Sequence, residues 1–195
     1  LDPGMVVVTG RMADAVAPGG TLLVVGHHPD DAHTGLRWSM PGVLFTADDV
    51  RGGQHVFQKY GLMQHGSLFG HGAYLGPDFT AEHLHLAAED MLAYHVERGL
   101  SADEARAAVR RELKHNAYDP AAGTLTFTAA QARAHERLVE RNRERFGPTT
   151  GQEGLQRPHI ADPQATRQLT AYFAWAAWTC AATRPGSSHS YTNNW

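Results

Sequence analysis

Apolar positions in this chain fall into two regimes. Near the start they bunch into short runs bounded by Gly and Pro, Met5-Val6-Val7-Val8 and Thr21-Leu22-Leu23-Val24-Val25. Such runs predict strands, so residues 1–45 read as a β-rich stretch. Further on, the apolar positions recur at helical spacing. Thr46, followed by Asp48 and Asp49, predicts a helix to about Tyr60 with Val50, Phe57 and Tyr60 on one side. The pair Gly52-Gly53 weakens that helix, because glycine has little helical propensity. Residues 61–79 are rich in glycine and predict a loop that bends sharply or approaches another surface closely. Thr80 is a good N-cap for a helix over residues 81–98, with Leu84, Ala88, Met91, Leu92 and His95 as its apolar stripe and Gly99 as its stop. Ser101 and Glu104 have capping-box spacing for a helix to about His115. Residues 124–127 predict a short strand, and residues 129–146 a third helix stopped by Gly147-Pro148. Asp162-Pro163 opens a last helix to about Thr183, apolar nearly all round through Leu169, Tyr172, Phe173, Trp175, Ala176, Trp178 and Cys180. No internal repeat is visible.

Composition narrows the function classes. The 195 residues suffice for one domain with a real core, and 42% hydrophobic with 19% charged residues is ordinary globular usage. A net charge of -3 gives no electrostatic case for nucleic acid. The single cysteine, Cys180, excludes an intrachain disulfide, a four-cysteine zinc site and a Cys-x-x-Cys-His haem attachment. The longest apolar stretch, residues 169–182, is shorter than the ~18–20 residues that span a bilayer. The chain shows no signal peptide and does not begin with Met, which reads as a fragment of a longer protein.

Two segments carry a resemblance. The first is residues 53–79, containing Gly70-His71-Gly72-Ala73-Tyr74; the second is Arg184-Pro185-Gly186 with Ser190-Tyr191-Thr192-Asn193-Asn194-Trp195. Together they resemble the hydrophilic domain of the quinol-dependent nitric oxide reductases, the second segment being similar to the one that leads into the membrane. In the related cytochrome-dependent reductases a Cys-x-x-Cys-His attachment precedes a Gly-x-Gly-Ala-Tyr segment. Counted back without a gap, those positions fall here on Leu62, His65 and Gly66. A covalent haem needs two thiols and an iron-ligating imidazole, and none stands where it is required. The resemblance therefore implies a mainly α, cytochrome c-like helical core without haem, carrying a β-rich N-terminal extension. In such a core the last helix crosses the first, residues 47–60, and the tryptophans of the last helix fill volume a haem would take or lie at a membrane boundary.

The resemblance further implies a single domain: a β-rich extension over 1–45, a helical core over 46–183 and a segment leading to the membrane over 184–195. The family reduces two NO to N2O and water with electrons from quinol. The chemistry takes place on membrane helices that carry haem b, haem b3 and a non-haem iron, and those helices are absent from this chain. No catalytic residue and no cofactor is thus expected here. The expected role is structural, on the periplasmic or extracellular side, against the membrane-embedded catalytic part. The relatives also imply a metal contact: Gly72 and Tyr74 as calcium ligands at that interface, two of the six to eight oxygens calcium takes.

Other patterns point elsewhere. The strand-like run before His28-Pro29-Asp30-Asp31 resembles the metal site of zinc-dependent LmbE-like deacetylases, with His28 and Asp31 as zinc ligands and Asp30 as general base. The bland alternative is a polar turn after a strand. A third reading is a free-standing, haem-less cytochrome-like binding module. Of thirteen histidines, His27, His28 and His33 are adventitious metal candidates. His83 and His85, two apart on a helix, point to different faces, and His95 reads as a satisfied core residue. Arg133, Arg137, Arg141 and Arg145 form a basic ridge beside Glu136, Glu140 and Glu144, which reads as intrahelical ion pairs on a solvated face, with anionic lipid as the weaker alternative.

Overall fold

The computed structural model describes residues 23–26, 43–119, 121–148 and 159–195. The order of elements is β1 (Leu23–Gly26), β2 (Val43–Thr46), α1 (Ala47–Lys59), a 3-10 turn (Leu62–Gln64), α2 (Phe79–Glu97), α3 (Ala102–Lys114), β3 (Tyr118–Asp119), β4 (Thr124–Phe127), α4 (Ala129–Arg145) and α5 (Pro163–Ala181). Helices dominate, as expected. The stretch Met5-Val6-Val7-Val8 lies outside the described residues.

The helix ends follow local chemistry. Thr46 and Asp49 close a capping box on α1: the Asp49 amide donates to Thr46 Oγ1 at 3.2 Å, and the Thr46 amide to Asp49 Oδ2 at 2.9 Å. Ser101 with Glu104 and Thr128 with Gln131 do the same for α3 and α4. Helix α2 ends in a Schellman arrangement, with Gly99 at φ 93° and the amides of Gly99 and Leu100 donating to the carbonyls of Val96 and His95. Its start corrects the sequence expectation. Asp78, not Thr80, is the N-cap, its Oδ1 accepting from the Ala81 amide at 3.0 Å. Thr80 sits inside the helix and accepts from the Phe69 amide instead.

The core rests on the crossing of α1 and α5, the most extensive helix pair among the described residues. Gly52 and Gly53, which weaken α1 on propensity, make that crossing close. A Cβ on Gly53 would stand 2.0 Å from the Gln168 carbonyl oxygen, and one on Gly52 would stand 2.6 Å from the Gln168 side chain. The propensity cost is therefore offset by backbone-to-backbone packing. Around the crossing, Phe57, Phe79 and Phe173 interlock. Phe79 stacks on Phe173 at 5.0 Å, and Phe57 meets each edge-on at 6.0 and 6.2 Å. Trp175 is buried and stacks on Tyr172 at 6.0 Å.

The strands form one sheet in the order β2-β1-β4-β3. β1 pairs antiparallel with β2 (Val24 opposite Phe45) and parallel with β4 (Leu23 opposite Thr124, Gly26 opposite Phe127). The expected strand at 124–127 thus joins the β-rich N-terminal stretch to the middle of the chain, and β3 adds an edge that the sequence pattern did not indicate.

The arginine ridge of α4 corrects a second expectation. Its partners lie mostly on α2, not on α4. Arg133 pairs with Glu97, Arg137 and Arg141 both donate to Asp90 Oδ1 at 3.0 and 3.3 Å, and Arg145 pairs with Glu82. Glu136 pairs across to Arg167 of α5, and Glu140 has an intrahelical partner, Arg143. The ridge staples helices together, so these four arginines are committed within the fold.

Candidate functional site

The glycine-rich loop between α1 and α2 is organised around Asp78. Gly61 turns the chain out of α1 at φ 62°. Leu62 then drops fully into the core. The two arms of the loop are joined by Ser67 N–H to Pro77 O at 3.0 Å and Phe79 N–H to Ser67 O at 2.8 Å. Asp78 Oδ2 accepts from the Ser67 hydroxyl at 2.7 Å and from the Gly70 amide at 2.8 Å, while Oδ1 caps α2. One carboxylate thereby sets both the loop's fold and the helix start. Phe69 is held at φ 55°, a region non-glycine residues rarely occupy, with its ring edge-on to Trp175 at 6.1 Å. His71 donates through Nδ1 to Leu68 O at 2.7 Å.

Beyond Gly70 the loop stands in the open. Gly72 has φ 76° and nothing within 4 Å of a notional Cβ. Tyr74 is completely exposed, and Leu75 and Met63 are about 70% exposed (70% and 71%). Gly76 packs directly on the His65 carbonyl, where a Cβ would fall 1.7 Å away, so the Met63 and Leu75 arms are adjacent. The hydrogen-bonded base thus presents an open tip of two glycines, a phenol and two apolar side chains that the described residues leave uncovered.

The three positions that would hold a haem do not fit one. Leu62 and His65 supply no thiol. Gly66 supplies no imidazole, and a Cβ there would stand 2.5 Å from the Phe79 ring and from the Pro77 carbonyl. The space an iron ligand would need is taken by a buried aromatic ring. A calcium site is not complete here either. Gly72 and Tyr74 offer a carbonyl and a phenol oxygen, Asp78 already accepts three hydrogen bonds, and among the described residues no group of three or more His, Cys, Asp or Glu could hold a metal.

The remaining candidates disperse. His28, Asp30 and Asp31, with His27 and His33, lie outside the described residues. His83 is buried and His85 points to solvent, so the two do separate as their spacing requires. His95 is satisfied by Glu112, at 2.6 Å from Nε2 to Oε1. Burial raises the Cys180 thiol pKa, with Asp78 adding to the effect, so the sulfur is no thiolate nucleophile. Sequence reasoning missed His135. It joins His83 beside a cavity of about 40 Å³ and leaves its Nδ1 without a partner. Burial drives both imidazoles down to about 3, so both are neutral at ordinary pH. The visible signal was weak: a histidine on the apolar side of α4. Asp78 was also missed, although an Asp closing a glycine-rich loop just before a helical pattern is an N-cap signal in its own right.

The C-terminal residues are tied back onto the helices. Lys114 Nζ donates to Ala181 O at 3.1 Å and also bonds Ser190 Oγ and Thr192 O, while its carbonyl accepts from the Thr183 amide at 3.0 Å. The Trp195 ring lies under the same ammonium at 5.2 Å. No helix among the described residues is long and apolar enough to cross a membrane.

A first helix crossed closely by the last, with a glycine-rich loop leaving the first, is the arrangement of a cytochrome c-like domain, here one whose attachment positions offer no thiol for a covalent haem. Residues 39–195 match the family of NorB cytochrome c-like domains of nitric oxide reductase, and the chain belongs to that family. The family is part of an oxidoreductase. No curated protein matches the chain.

Proposed function

We propose that this chain is the outer-side domain of a quinol-dependent nitric oxide reductase, itself non-catalytic, which caps the membrane-embedded catalytic part on the periplasmic or extracellular face. Family membership over residues 39–195 carries the reading. Two features of the site support it. Phe79 occupies the space an iron ligand would need at Gly66, so this loop is not built for electron entry through a covalent haem. The loop tip, with Tyr74, Leu75 and Met63 exposed on a hydrogen-bonded base, has the character of a surface made to be covered. In this reading quinol delivers electrons at the membrane, and haem b, haem b3 and the non-haem iron belong to the catalytic part. Calcium belongs to the interface. Gly72 and Tyr74 would contribute two oxygens to it and the catalytic part the others.

The decisive experiment uses the full-length enzyme in membranes, measuring quinol-dependent NO consumption with and without this domain. Loss of assembled, active enzyme on deletion is expected, and unchanged turnover refutes the reading. The Tyr74→Ala variant separates the calcium contact from the cap. The expected result is an enzyme that assembles but loses calcium, measured by metal analysis.

A further inference from the structure

One side chain gathers the C-terminal residues onto the helices. Lys114 is the last residue of α3, and its ammonium has three protons to place. One goes to Ala181 O, the carbonyl that ends α5, at 3.1 Å. The other two go to Ser190 Oγ and Thr192 O. The Trp195 ring lies 5.2 Å from the same ammonium. Residues 184–195 are otherwise open to solvent: only Ser190, Thr192 and Trp195 are partly covered, and these are the three that meet Lys114. Among the described residues no carboxylate pairs with this cation.

Burial lowers the Lys114 pKa, with Arg110 adding to the effect, so the charge is held at a cost. Two helix ends offset it. Helix α3 ends at Lys114 itself and α5 ends at Ala181, so the ammonium stands at the negative ends of two helix dipoles and satisfies a carbonyl that α5 leaves unbonded. The segment beyond α5 has little else to hold it. Arg184 N–H donates to His189 O at 2.8 Å and its guanidinium lies over the Tyr191 ring at 4.0 Å, so residues 184–191 close on themselves. Two backbone bonds reach the helices: Thr183 N–H to Lys114 O at 3.0 Å, and Thr192 N–H to Cys180 O at 3.1 Å. The first uses the main chain of Lys114, and the second lies beside the acceptors of its side chain.

We propose that Lys114 is a latch, a positioning residue that fixes the direction in which residues 190–195 leave the helical core and, with it, the seating of this domain on the membrane-embedded catalytic part. The seating rests on the function proposed above; the latch itself does not. The chemistry of the side chain suits the task. Three oxygens from two parts of the chain converge on one point, so the group that joins them must donate in three directions and accept none. An ammonium does this, whereas a planar guanidinium spreads its donors in one plane and an apolar side chain leaves the oxygens without a donor. A polar segment with no core of its own opens easily, and three bonds from one cation take that freedom away.

The test starts with amide exchange followed by NMR on the 195-residue chain, comparing it with Lys114→Met, which keeps the stem and removes the charge. The Thr192 amide should exchange about tenfold faster. The Thr183 amide, bonded to a main-chain carbonyl that the substitution retains, should keep its rate. Ser190→Ala removes one acceptor outside the helices and should show the same change reduced to severalfold, so the test stands even where Lys114→Met fails to fold. Equal acceleration of both amides in both variants means a general loss of stability, and an unchanged Thr192 amide means that the segment holds without the cation; either result overturns the latch. The second step places Lys114→Met in the full-length enzyme in membranes. Normal haem content with severalfold slower quinol-dependent NO consumption is expected. Unchanged turnover beside a loosened Thr192 amide overturns the seating role alone, and the domain deletion described above separately tests the function on which that role rests.

Discussion

At the scale of single residues, the glycines of one loop do different jobs. Gly66 is glycine because Phe79 and the Pro77 carbonyl occupy the place of a side chain. Gly72 is glycine because of its backbone angle alone, with open space around it. Gly66→Ala should therefore cost about 2–3 kcal/mol by overpacking, and Gly72→Ala only about 1 kcal/mol of backbone strain. Urea unfolding of the two variants checks the order, and equal losses would contradict it. His83 and His135 make a second prediction. Their folded values near 3 lie below the ordinary 6.5. Above pH 6.5 both states are neutral and the fold keeps its full stability. As the pH falls from 6.5 towards 3 the unfolded chain takes up protons that the folded one refuses. Each unit then costs about 1.4 kcal/mol per histidine. NMR should show both imidazoles silent between about pH 8 and 5, and a midpoint near the ordinary value of about 6.5 for either would remove the prediction. Residue-level chemistry was only partly legible in the sequence. Asp78 and Thr80 are both competent caps two positions apart. The choice between them was settled by the loop, which needs Asp78 for Ser67 and Gly70 and Thr80 for Phe69.

At the scale of elements, the caps and stops read directly from the sequence, because they depend on neighbours three or four residues away. What joins one element to another did not. Gly52-Gly53 looked like a flaw in α1 until α5 was set against it. Gly53→Ala should be among the most damaging single-methyl changes in the chain. Its Cβ meets a carbonyl oxygen of a buried helix, which cannot move without shifting α5. A loss of less than about 1 kcal/mol would mean that the two helices separate easily. The arginine ridge behaves the same way. Its spacing was plain, but so was the spacing of Glu82, Asp90 and Glu97 along α2, one acid about every two turns; the pairing needed both helices to be read together. The pairing is also asymmetric. Asp90 is 4% exposed, while Arg137 and Arg141 are more than 40% exposed (44% and 43%). Replacing both arginines by Ala strands a buried carboxylate and should cost more, by about 1–3 kcal/mol, than Asp90→Asn, which leaves two solvated cations. Thermal unfolding of the two variants gives the comparison, and the reverse order would show that Asp90 is hydrated.

At the scale of the whole molecule, the helical class and the α1–α5 crossing were legible through the resemblance, whereas the sheet was not. Its strands are two to four residues long, and its central pairing is parallel between segments about a hundred residues apart, which no local pattern encodes. That long-range wiring has a kinetic meaning. β1 waits for β4 before the sheet can close, and α1 waits for α5, over a hundred residues later, before its buried face is covered. Closing such long loops comes before any reward from the contacts they bring, which slows folding. A chain cut before Pro163 should remain without cooperative unfolding however well its first helices are capped, and a sharp thermal transition in that truncation would disprove this. During synthesis, then, the first helix stays an unpaired apolar surface until α5 is made, and the arrival of α5 commits this domain to a single structure.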